Sequence, residues 1–172
     1  RLAQLLTTRA PDMALRLRSE AFAAALAALL RAERFDAVQI EGIELAWAIP
    51  AVRAASAARI VLDCHNAETE LQRRAGQGDR ARPGRWPAAV YSAIQAGRLR
   101  EYGRWALRAA DAVIAVSEED QRHLAALADD GRPIACIPNA LAVDDYRWDG
   151  LVPESARFDL VFTGKMDYRP NV

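Results

Sequence analysis

Apolar residues fall along this chain in short blocks that switch between a helical period and continuous runs. After Pro11-Asp12, which suits a helix start because free N–H groups there need acceptors, residues 13–34 form an Ala-, Leu- and Arg-rich run that reads as one long helix. Phe35-Asp36 ends it, 37–40 reads as a strand, and Glu41-Gly42 stands at that strand's C-terminal end. An apolar helical stretch over 43–55 is interrupted by Pro50, and 59–62 is a second strand running into Asp63, Cys64, His65 and Asn66. A helical start at 67–74 gives way to a turn-rich stretch over 76–87, then to a second long helix over 88–109. The third strand, 112–116, ends at Ser117. With Asp120 three residues on, Ser117 resembles a capping box, which predicts a helix over 118–128 stopped by Asp129-Asp130-Gly131. A fourth strand over 134–137 ends at Pro138-Asn139.

Strands alternate with helices, and the strands are short and apolar with little in/out alternation. That pattern predicts an α/β fold, a Rossmann-like parallel sheet with helices on both faces. The polar stretch 141–157, with Asp144, Asp145, Asp149, Gly150, Pro153 and Glu154, reads as a linker, and 158–163 as a new strand followed by Gly164. The predicted organisation is therefore a first domain over 1–150, incomplete at its N-terminus, and over 151–172 a linker with the first strand of a second domain.

Composition narrows the functional classes. The 172 residues are 52% hydrophobic and 27% charged, which is too apolar for disorder. Lys+Arg and Asp+Glu balance at 23 each, so the chain lacks the basic surplus of a general nucleic-acid binder. Two cysteines, Cys64 and Cys136, make neither a disulfide framework nor a zinc site; both flank strand ends and read as buried thiols in a reducing compartment. No metal site and no resident cofactor is expected. The longest apolar run, 22–30, is far short of the roughly 20 residues that span a bilayer. The first residues, Arg1, Leu2, Ala3 and Gln4, form no secretory signal, and with no Met at position 1 the start of the gene product is expected upstream.

In an open parallel sheet, ligands bind beyond the carboxyl ends of the strands. Here those ends carry Glu41-Gly42, His65-Asn66, Ser117-Glu118 and Asn139, the small polar residues a polar-ligand crevice needs; loops of this kind also use Ser, Asn and Gly simply as caps. His65 draws most interest, since an imidazole on that rim can donate a hydrogen bond or act as a base near neutral pH, the plain alternative being a packing histidine. His123, inside a predicted helix, reads as solvated. Gly76 to Ala81 matches the G-x-G-x-x-A fingerprint on letters, but it follows a helix and Pro83-Gly84 stands where the phosphate-binding helix belongs, so it reads as a loop. Nothing fixes a triad from Ser117, His65 and an aspartate.

Arg100, Arg104 and Arg108 recur every four residues along one face of the second long helix, with Arg80, Arg82, Arg85 and Arg98 just before. Such a stripe can meet anionic lipid head groups, at about 1 kcal/mol per basic residue, or stand as an ordinary solvated helix face. The aromatic residues nearby, Trp86, Tyr91, Tyr102 and Trp105, read as core or rim packing.

Five runs, in order, resemble glycosyltransferases of family 4, of the GT-B type: FDAVQIEG (35–42), DCHNAE (63–68), ADAVIAVSEED (110–120), IPN (137–139) and VFTGKMDYRPN (161–171). The nearest subgroup is the bacterial sugar transferases of exopolysaccharide and exosortase gene systems. The resemblance implies two Rossmann-like domains facing a cleft, the first binding mainly the acceptor and the second the nucleotide-sugar. It implies a retaining, hexosyltransferase-type reaction from a nucleotide-diphosphate donor to a carbohydrate or lipid-linked acceptor, without a metal. Residue by residue, it implies that His65 is the strand-end histidine near the transferred sugar. Glu41, Gly42, Asn66, Ser117 and Asn139 fall on the acceptor side, while Gly164 approaches the donor diphosphate with Lys165 or Arg169 supplying positive charge. The chain departs from the family at Asn139-Ala140, where Asn-Gly and a short acidic motif are usual. The expected location is cytoplasmic, with peripheral contact to the inner membrane face through the arginine stripe. The upstream Gly-rich loop and most of the donor domain lie outside this chain, so it is expected to be inactive alone. A non-catalytic carbohydrate-recognition or assembly subunit on the same fold is the alternative. A nicotinamide-dependent dehydrogenase is disfavoured by the misplaced glycine fingerprint.

Overall fold

The computed structural model describes residues 8–65, 69 and 86–145. The chain divides into two compact units, Arg1–Pro138 and Asn139–Val172. In the first, four parallel strands, β1 (Ala37–Glu41), β2 (Arg59–Cys64), β3 (Ala112–Ala115) and β4 (Ala135–Cys136), form one sheet in chain order. Helices α1 (Asp12–Leu17) and α2 (Glu20–Ala32) precede β1, and a 3₁₀ segment (Ile43–Ala48) leads into α3 (Ile49–Ala55) before β2. Helix α4 (Trp86–Ala109) joins β2 to β3, and α5 (Glu118–Ala128) joins β3 to β4. This is the Rossmann-like α/β class, a parallel sheet flanked by helices. In the second unit, 143–145 form a single 3₁₀ turn and Asn139 is exposed. The helical start after Asn66, the loop over 76–85, the linker past residue 145 and the strand predicted over 158–163 lie outside the described residues.

Because strand order follows chain order, each right-handed crossover steps the same way and lays its connecting helix on the same face. Burial agrees. Register pairs Val38 with Ile60, Ile40 with Leu62, Leu62 with Val113 and Cys64 with Ala115, so these side chains share one face. They join Val52, Leu99, Leu107, Leu124 and Leu127 in a single core. Ile60, Leu62, Leu107, Val52 and Val113 are fully buried, each contributing about 1.5–3 kcal/mol of hydrophobic transfer. The other face carries Gln39, Val61, Asp63 and Ile114, exposed or half-buried among the described residues. The strands thus alternate more than their apolar composition suggests, and two polar residues, Gln39 and Asp63, interrupt them on the less buried face.

The single helix predicted over 13–34 is two helices. Arg18 and Ser19 are extended, and the Ser19 hydroxyl accepts the Phe22 N–H at 3.2 Å, capping α2. Serine competes for backbone donors, so a Ser-Glu step inside an apolar run is a helix start. The first helix is tied to α4 by long-range bonds. The Tyr91 hydroxyl of α4 donates to the Asp12 carboxylate, and the Asp12 N–H donates to Gln95 Oε1 at 3.0 Å. Pro50 sits in the first turn of α3, where its missing N–H costs nothing, so the interruption is a change from 3₁₀ to α geometry. Helix α5 begins and ends as predicted: Ser117 caps its start and Asp129, in the left-handed region at φ 51°, its end.

Candidate active site

All four strands run the same way, so their carboxyl ends share one rim. On β1, Glu41 is exposed and opposite Asp63 of β2. Gly42 then turns the chain at φ 86°, ψ 143°, with its N–H bonded to the Asp63 carbonyl at 2.8 Å. That bond fastens the Glu41-Gly42 tip to β2, two residues before His65. A side chain at Gly42 would strike the Glu44 carboxylate, whose atoms lie 2.6–2.8 Å from where a Cβ would stand. Glu44 therefore folds back over the tip, a placement the sequence did not suggest.

His65 follows the last residue of β2 and its side chain is 49% exposed, so the imidazole is on the rim and not in the core. Two residues back, Asp63 is only 17% exposed. Its Oδ2 accepts from Gln39 Nε2 at 2.9 Å, and its Oδ1 lies 3.9 Å from His65 Nδ1. Neither Gln39 nor Asp63 stood out as a site residue in sequence; the available signal was a polar residue inside each of two apolar strands. Between them in β2, Cys64 points into the core at 2% exposure. Burial, with added repulsion from Asp63, Glu44 and Asp120, pushes its thiol up to about 12, so it stays neutral. Cys136, expected to be buried as well, is only half-buried, because β4 is two residues long at the end of the described sheet.

The remaining candidates separate. At the end of β3, the Ser117 hydroxyl accepts the Asp120 N–H at 3.1 Å and donates to Asp120 Oδ2 at 2.6 Å, so its hydrogen bonds serve the start of α5. Asn139 belongs to the second compact unit. Asn66, Gly164, Lys165 and Arg169 lie outside the described residues. Of the arginine stripe, Arg104 Nε donates to the Leu127 carbonyl at 3.3 Å and Arg108 Nε to that of Ala128 at 3.0 Å. Both thus satisfy the carbonyl end of α5, where positive charge is favoured. Arg132 does the same for α4, donating to the carbonyls of Leu107 and Ala110, with Asp130 holding its Nε at 2.8 Å. Arg100 is exposed and, with Thr69, Gly97 and His123, lines a groove of about 410 Å³ between α4 and α5; His123 is half-buried there, not solvated. A second cleft, about 300 Å³, is lined by Met13, Arg16, Leu17 and Glu44. Among the described residues no three potential ligands gather around a possible metal position, and no helix is long and apolar enough to cross a membrane.

The profile of Glycosyltransferase Family 4 matches residues 3–145, most of the chain and all four strands with their ends. The chain belongs to this family. No curated protein and no solved structure matches it. A glycosyltransferase acts on a sugar donor and an acceptor. What the rim offers chemically is a half-exposed imidazole just past the end of β2, with the Asp63 carboxylate two residues before it.

Proposed function

We propose that this family 4 domain is the acceptor-side half of a retaining hexosyltransferase that takes its sugar from a nucleotide-diphosphate donor. The acceptor is a carbohydrate or lipid-linked glycan in exopolysaccharide assembly, and the work is done in the cytoplasm. The observation that supports the reading is the register of β1 on β2, with Glu41 opposite Asp63 and the Gly42 N–H on the Asp63 carbonyl, two residues before the half-exposed His65. In this reading His65 is the catalytic residue of the domain and hydrogen-bonds the transferred sugar. Glu41, Gly42 and Asn66 face the acceptor, with Ser117 and Asn139 at the later strand ends. Gly164, Lys165 and Arg169 serve the donor diphosphate, where a cation offsets charge growing on the leaving phosphate. Peripheral membrane contact belongs to the same proposal and rests first on Arg100, because Arg104 and Arg108 already donate to carbonyls of α5.

The test is transfer and donor hydrolysis by the complete gene product across uridine-, guanosine- and thymidine-diphosphate sugars. Turnover with one donor is expected, and it should fall at least about a hundredfold in His65→Ala, the usual scale for removing one hydrogen bond made to the transition state. That variant should still fold, because the side chain is half exposed, with a stability loss of about 1 kcal/mol at most. No turnover with any donor, or full activity in His65→Ala, would count against the reading.

A further inference from the structure

We propose that Asp63 is a positioning residue for His65: its Oδ1 accepts the Nδ1 proton of the imidazole and leaves Nε2 as the nitrogen turned outward. The inference rests on the reading that His65 faces the reacting sugar.

Three observations carry it. First, the Asp63 backbone is held in the middle of the sheet. It is paired on both sides, with Glu41 of β1 and Ile114 of β3, and its carbonyl accepts the Gly42 N–H. Second, its two carboxylate oxygens are treated differently. A carboxylate only accepts, so the Gln39 amide presents its NH₂, and Nε2 donates to Oδ2 at 2.9 Å. Oδ1 is buried and takes no hydrogen bond among the described residues. Third, Oδ1 faces His65 Nδ1 at 3.9 Å, which is an ion-pair distance and about 1 Å too long for a hydrogen bond. A buried acceptor left without a donor is costly, whereas turning a half-exposed imidazole by that amount is cheap. The balance favours closure, with the proton on Nδ1. Position along the chain makes the pairing possible: His65 directly follows β2, and Cys64 between the two points the other way into the core.

The outward nitrogen then has a defined character. With Nδ1–H committed to Asp63, a neutral His65 presents a bare Nε2 that accepts from a sugar hydroxyl; when protonated it donates there, with its plane still fixed. Asp63 touches no substrate in this scheme and acts only through His65.

Long-range ¹H–¹⁵N spectra of the imidazoles test it directly. The chain has two histidines, so His65→Gln assigns the signals. In the unmodified protein, His65 Nδ1 should show the shift of a protonated nitrogen and Nε2 that of a bare one. In Asp63→Asn the amide NH₂ can face Nδ1 while the oxygen keeps Gln39, so the proton should move to Nε2. Transfer by the complete protein should fall roughly tenfold or more, the factor for one lost hydrogen bond. Adding Asp63→Asn to His65→Ala should cost nothing further. An unmodified protein with its proton already on Nε2 overturns the proposal without any variant, as does an Asp63→Asn spectrum in which the proton stays on Nδ1. Loss of activity in His65→Ala alongside either spectrum would leave the catalytic reading standing and remove only Asp63's role. Full activity in His65→Ala with the expected spectra would do the reverse.

Discussion

Replacing Gly42 by alanine tests the hinge on which the rim is built. At φ 86° and ψ 143° the residue sits where an L side chain is strained, and residues held in such regions cost of order 1–3 kcal/mol. The added Cβ would also meet the Glu44 carboxylate at 2.6–2.8 Å, but that group is the far end of a flexible side chain and can swing aside. Relaxing the backbone instead would forfeit the bond from the Gly42 N–H to the Asp63 carbonyl (2.8 Å) and strain that from the Leu45 N–H to the Gly42 carbonyl (3.2 Å). Each is worth about 1 kcal/mol. Either route puts the loss at about 1–3 kcal/mol. Urea unfolding followed by circular dichroism should show the midpoint falling with an unchanged slope. The double variant Gly42→Ala/Glu44→Ala separates the causes: backbone strain predicts no recovery, and a side-chain clash predicts nearly full recovery. Stability within about 0.5 kcal/mol of the parent, or complete rescue by Glu44→Ala, would refute the reasoning.

Gly97, on the exposed side of α4, meets nothing within 4 Å among the described residues, so Gly97→Ala should raise stability by about 0.5–1 kcal/mol in the same unfolding assay. Ser117→Ala removes the cap of α5 and should cost about 1 kcal/mol, read from the thermal midpoint. The Asp111 carboxyl is held below its usual range by the Arg53 guanidinium at 2.9 Å and by the Ile60 N–H at 2.6 Å. A depressed value stabilises the folded chain above the unfolded carboxyl's pKa of about 4 and is lost as pH falls through the folded one. Asp111→Asn should therefore be less stable at pH 7, by about 1 kcal/mol after solvent screening, and the gap should close below about pH 4 in parallel urea titrations. Thiol alkylation at neutral pH should modify Cys136 and spare Cys64 until denaturant is added, counted by mass spectrometry.

Much of this architecture was legible residue by residue. The four strands, the polar residues at their ends, the start of α5 at Ser117 and its stop at Asp129 follow from signals within a few positions: apolar runs, a capping hydroxyl, a residue tolerant of the left-handed region. The match to the family profile over 3–145 agrees with the resemblance carried by those same strand ends. Contacts across long stretches of chain settled the rest. The break at Ser19 had a local signal, but the bonds that tie Asp12 to Tyr91 and Gln95 of α4, about eighty residues away, did not. The Arg104 and Arg108 side chains read as a stripe on a helix, and only the packing of α5 against α4 made them caps for its carbonyls. Gln39 and Asp63 are 24 residues apart, and neither has a meaning until β1 and β2 pair in one register. Local chemistry is written in spacing along the chain, so sequence alone could set the elements and the histidine at the rim. Which buried oxygen faces that histidine depends on strand register, and register exists only in the folded sheet.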